Sequence, residues 1–158
     1  MQNTTMTGRT SPNEAGLLGS TESEVAIRLV GALLALAVAA VHVADQGSIS
    51  AFNSPDWIGW GYRLIEVGGV LTAITLLLPR SAWLGWAAGA LLGVGPFLAY
   101  LTSRTVGVPG DPGDVGNWGY WVGTVSLFIE AAMIVLSVGM LLAHRKQSTP
   151  AVLSATTV

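Results

Sequence analysis

Glu130 is the deepest ionisable residue of this chain. It lies inside the apolar run from Trp118 to His144, and at ~1.5 Å per residue it stands about 18 Å beyond Trp118. An ionisable side chain near the centre of a bilayer costs roughly 2.5–3.5 kcal/mol on insertion scales, so such residues point to function or to bracing. Glu66 interrupts the first half of the second apolar run. His42 sits near the end of the first, followed by Asp45, and Arg63 and Arg104 stand at the ends of the second and third runs on the same side. Two readings follow. In one, Glu66, Glu130 and His42 line a cavity that binds a proton, a cation or a small polar ligand, with Arg63 and Arg104 beside it. In the other they are internal braces: Glu66 pairs with Arg63 at i, i+3, and Glu130 stays neutral and hydrogen-bonds Ser126, Thr124 or Tyr100.

Other chemistry is excluded or unsupported. The chain has no cysteine, which removes disulfides, thiolate metal sites, iron–sulfur clusters and cysteine catalysis. His42, Asp45, Glu66 and a loop aspartate are too dispersed for a metal site. A haem clamp fails because His144 belongs to the opposite membrane face from His42. No nucleophile elbow, P-loop or dinucleotide fingerprint is present. The expectation is no catalytic residue, no metal, no cofactor and no enzyme. The net charge of −2 gives no reason to expect nucleic acid as a partner.

The elements that must position these residues are membrane helices. Hydrophobic residues make up 51% of the chain and charged residues 10%, against about 25% charged in soluble domains. The six tryptophans form i, i+3 pairs, Trp57/Trp60, Trp83/Trp86 and Trp118/Trp121, each beside an apolar run. Tryptophan favours the membrane–water interface, so the pairs mark boundaries. Four spans are expected, at 25–44, 58–78, 82–102 and 118–144, each near the ~20 residues that cross a bilayer as a helix. The fold class is all-α, a four-helix transmembrane bundle. Residues 1–24 and 147–158 are polar and Ser/Thr-rich and read as disordered tails, with no secretory signal at the start. Arg9, Arg28, Arg80, Arg145 and Lys146 gather on the side of both termini, and only Arg63 and Arg104 on the other. Positive charge is retained on the cytoplasmic side, so both termini are expected there.

Packing is written in small residues. Gly85, Gly89 and Gly93 form a doubled GxxxG stripe, and Gly31, Ala35 and Ala39 share its spacing. Such stripes allow close backbone approach, within the chain or to a homo-oligomer or another membrane protein. Pro96 should kink the third helix, and Asn117 should cap the fourth.

The loop from Ser103 to Trp118 carries Pro-Gly and Asp-Pro-Gly turn signals and should be compact. Asp111 and Asp114 lie in it. A calcium-loop register is absent, and a tight cap over the helix ends is the favoured reading. Arg104 to Gly110, Asp114 to Trp118 and Ser126 to Glu130 resemble segments of small, uncharacterised four-span membrane proteins of actinobacteria. The layout is also loosely similar to DoxX-like proteins. The resemblance implies the fold and a bacterial plasma-membrane address, and no activity. The leading functional reading is a non-enzymatic accessory or assembly protein, lipid-embedded, with a polar pocket opening outward. The alternative is a small transporter or proton-coupled carrier using the intramembrane carboxylates.

The topology is testable in intact cells, since the chain has no native thiol. Cysteines placed at residues 2 and 155 should resist an impermeant thiol reagent until the membrane is permeabilised. Labelling of both sites in intact cells would overturn the orientation.

Overall fold

The computed structural model describes residues 12–147, with side chains for 21–146. Four long helices make up the architecture: α1 (Pro12–Gln46), α2 (Asp56–Leu77), α3 (Ala82–Thr105) and α4 (Trp121–Gln147). All four are long and apolar enough to cross a membrane. This is the build of a multi-pass membrane protein, because helices satisfy their own backbone groups where lipid offers no partner. Consecutive helices pack antiparallel, α4 returns to α1, and α1 also meets α3 across the bundle. Two long loops cap one end, here the loop end. The termini and the short Pro79–Ser81 turn mark the other, the turn end.

Two expected boundaries move. Helix α1 begins at Pro12, well before the apolar run, so the first tail is helical from there on. Proline is well tolerated at a first helical position, where its missing N–H has no intrahelical partner to lose. Residues 1–11 and 148–158 lie outside the described part. Helix α4 begins at Trp121 rather than at Asn117. Gly116 adopts φ 80° and its N–H returns to the Arg104 carbonyl at 2.9 Å, so the chain is still turning when it reaches Asn117. Pro96 lies inside α3, which continues through it to Thr105.

The interior divides by depth. Toward the turn end the core is mostly apolar, with Ala32, Ala35, Leu76, Trp86 and Met133 buried beside the hydroxyls of Thr72 and Ser137. Toward the loop end the buried residues include His42, Gln46, Glu66, Arg104, Ser126 and Glu130. Leucine, valine and phenylalanine cover much of the outside, among them Leu64, Leu91, Phe128 and Val135. Five tryptophans are exposed in keeping with an interfacial place, but Trp86 is only 4% exposed. Its ring covers Gly31, where an added Cβ would lie 2.6 Å from the ring Cζ3. The pair spacing of Trp83 and Trp86 thus conceals one boundary residue and one core residue.

Both small-residue stripes are buried within this chain. A Cβ on Gly69 would meet the Ala35 carbonyl at 2.7 Å and the Ala39 methyl at 2.8 Å, so α1 and α2 nearly touch along their backbones. On α3, a Cβ on Gly85 would meet Leu76, one on Gly89 would meet Met133 and Ser137, and one on Gly93 would lie 2.9 Å from the Glu130 carbonyl. The stripe is therefore closed by α2 and α4 of the same molecule. The expected homo-oligomer or partner contact through Gly85, Gly89 and Gly93 is corrected on that ground.

Gly89→Leu should force Met133 and Ser137 aside and destabilise the bundle by about 1–3 kcal/mol, the usual range for overpacking. Gly95 is the control, because a Cβ there would meet nothing within 4 Å. Thermal unfolding in detergent should show a lower midpoint for Gly89→Leu and none for Gly95→Leu. Equal midpoints would remove the packing role.

Candidate functional site

Helix α1 delivers His42, Asp45 and Gln46 to the loop end within about one turn. The first half of α2 presents Tyr62, Arg63 and Glu66 against them. Antiparallel packing sets the end of α1 beside the start of α2, so these groups meet in pairs. The Gln46 amide donates to Glu66, and the Tyr62 hydroxyl donates to Asp45.

The first group is a brace. Arg63 donates through Nη1 to Glu66 Oε2 at 2.5 Å and through Nη2 to the Ala51 carbonyl. Glu66 thus ties α1, α2 and the first long loop together. A charged pair held by additional hydrogen bonds meets the conditions under which partly buried ions are tolerated. Neither residue borders the cavities described below.

The second group is different in kind. His42 Nδ1 donates to the Val38 carbonyl at 2.8 Å, because a carbonyl can only accept. In the neutral ring Nε2 is then the acceptor, and it faces Glu130 Oε1 at 3.8 Å. That exceeds hydrogen-bond range. One proton held between imidazole and carboxyl gives the same net charge whichever group carries it. Glu130 is fully buried, and neither of its oxygens has a hydrogen-bond partner among the described residues. Ser126, one turn away, donates to the Gly123 carbonyl at 2.8 Å, and the Thr124 hydroxyl reaches the Tyr120 carbonyl at 3.3 Å.

The third group closes the loop end. Arg104 is 5% exposed, pairs with Asp114, and stacks over the Tyr100 ring at 4.6 Å. The second loop folds back on it through the Gly116 contact to the Arg104 carbonyl. The two long loops touch where Gly110, at φ 87°, faces Pro55; a Cβ there would lie 2.8 Å from the proline ring. Glycine answers both the positive φ and the close approach.

Two cavities open between these groups. A deep chamber of about 170 Å³ is bordered by His42, Asp45, Tyr62, Tyr100 and Ser126. A vestibule of about 520 Å³ above it is bordered by Asp45, Arg104, Asp111, Asp114, Asn117 and Tyr120. They share Asp45, Trp57, Ile58, Tyr62, Ala99 and Tyr100 as walls, so the vestibule adjoins the chamber. Between α2 and α3 an apolar groove of about 700 Å³ runs along the lipid-facing side and shares Gly61, Ile65, Pro96 and Ala99 with the chamber.

The sequence-derived site is thus split. His42 borders the chamber with Glu130 behind it, and Arg104, Asp111 and Asp114 surround the vestibule. Glu66 and Arg63 form a separate brace. The aromatic walls Trp57, Tyr62 and Tyr100 are additions. The available signal was depth: Asp45, Tyr62 and Tyr100 all lie near the loop-side ends of their spans. No known protein family, curated protein or solved structure matches the chain.

Tyr120 lies outside the spans, and its hydrogen bond to Asp45, with burial adding to it, pushes the phenol up to about 12. An ordinary tyrosine ionises near pH 10. The folded value is the higher one, so the contact stabilises the fold fully below about pH 10 and is lost as pH rises through about 12. Phenolate absorbance of the wild type minus that of Tyr120→Phe should titrate near 12. A midpoint at 10 would mean the contact to Asp45 does not form in solution.

Proposed function

We propose that this protein is a non-enzymatic ligand-binding membrane protein, an accessory component whose pocket opens at the loop end. The observation that carries the proposal is a vestibule sharing six walls with a chamber bordered by His42, Asp45, Tyr62 and Tyr100. Buried polar groups at the dead end of a concave site are the usual mark of ligand binding. The proposal includes a bacterial plasma membrane, cytoplasmic termini and an outward-facing loop end, supported by the distribution of Lys and Arg. The resemblance to four-span actinobacterial proteins is retained as part of it.

A proton-coupled carrier is the second reading, favoured by the His42–Glu130 pair. Such a carrier requires a proton to pass between titratable groups within the span, and these two face each other at 3.8 Å. Against it stands the close packing of the turn-end half, where Trp86 lies on Gly31 and Leu76 on Gly85.

The two readings separate by cysteine accessibility. Ser126 borders the chamber, whereas Ser137 is fully buried in the apolar half. Ser126→Cys should react with a small impermeant thiol reagent from outside, and Ser137→Cys should react from neither side. Labelling of Ser137→Cys from the cytoplasmic side would favour the carrier. An unreactive Ser126→Cys in a folded protein would overturn the outward-opening pocket.

A further inference from the structure

We infer that the chamber takes a small organic cation, an alkylated ammonium group. The inference rests on the ligand-binding reading above and deepens it. The argument begins with charge. Both guanidiniums at the loop end are engaged, Arg63 with Glu66 and Arg104 with Asp114. Asp45 borders chamber and vestibule alike. The Tyr62 hydroxyl hydrogen-bonds it, and Asp45 has no ion-pair partner among the described residues. Phenols solvate a carboxylate without cancelling its charge. The Asp45 side of the cavity therefore holds one uncompensated negative charge, which repels an anion and remains unbalanced beside a neutral ligand.

The walls decide which cation. Trp57, Tyr62 and Tyr100 border the chamber; Arg104 already stacks on Tyr100, so Trp57 and Tyr62 are the rings open to a ligand, and a ring face attracts a weakly hydrated cation. The remaining wall is largely hydrocarbon, including Val41, Ile58, Ile65 and Val122. Such a wall cannot supply the six or more oxygens that a calcium ion takes. An alkylated ammonium needs none of them: its methyl groups suit hydrocarbon and ring faces, and its diffuse charge suits Asp45. Size agrees. The chamber, about 170 Å³, is smaller than the ~300–1,000 Å³ of drug-sized pockets, and the vestibule leaves room for a polar substituent.

Tetramethylammonium and choline are the probes, with 3,3-dimethylbutan-1-ol as the neutral isostere of choline, titrated calorimetrically into the full chain in nanodiscs. Both cations should bind, and the alcohol should bind at least about tenfold more weakly. Trp57→Leu and Asp45→Asn should each weaken choline by about tenfold, the fold-change that corresponds to ~1.4 kcal/mol. Trp57 is half exposed, so its variant reads out even if Asp45→Asn fails to fold. Equal affinity for choline and the alcohol would overturn the cation while leaving a binding pocket intact. Failure of both cations to bind a protein whose Ser126→Cys variant is labelled from outside would do the same. If Ser126→Cys is unreactive in a folded protein, the outward pocket itself fails.

Discussion

Close approach between α3 and α4 is the contact on which the rest of the molecule depends. Gly89 lies under Met133 and Ser137, and Gly93 lies against the Glu130 carbonyl. Lipid tails are as apolar as leucine, so nothing drives these helices together except dispersion at short range and hydrogen bonds. Glycine makes that range accessible. It also fixes the rotation of α4, since the face that meets Gly89 and Gly93 carries Met133 and Glu130 inward. Glu130 is buried because packing selects its face, and that placement brings it to His42. The geometry of the polar site is therefore inherited from an apolar contact.

Three arrangements hold the charged groups at the mouth of the loop end. Arg63 and Glu66 form a charge pair completed by Gln46 and the Ala51 carbonyl. Arg104 pairs with Asp114 and stacks on Tyr100. Asp45 is held by phenols alone. The first two arrangements close on themselves, with each charge answered by its opposite, and they join helix to loop. The third leaves its charge directed at a cavity. A group that the fold itself does not neutralise is the natural place to seek a ligand.

Much of the fold was legible because bilayer thickness imposes itself on sequence. Span count, approximate boundaries and the small-residue faces follow from apolar length and spacing. Trp86 was misread because an i, i+3 pair near a boundary has the same spacing whether its second ring faces lipid or the core. The partner of the α3 stripe was open for a related reason: GxxxG declares close approach without saying to what. In the site, the Arg63–Glu66 pair was legible because it is local. The separation of Glu66 from Glu130 was not, since it depends on the rotation of α2 and α4, which composition does not encode. The joint role of Asp45 with Tyr62, Tyr100 and Tyr120 was missed because those residues lie on different helices and come together only in the folded bundle.

Trp86 over Gly31 and Leu76 over Gly85 have a kinetic meaning as well as a packing one. They close-pack the half of the bundle toward the turn end. On the proposed binding reading, a molecule that enters and leaves through the vestibule has its residence set by one barrier shared by arrival and departure. Rearranging the loops at the mouth alters both rates together and leaves the equilibrium constant nearly unchanged, whereas a change at a wall that touches the occupant, such as Trp57, changes its affinity. Altering the floor of the chamber alters release alone. On that reading, the time an occupant stays is written into the mouth and floor of the chamber.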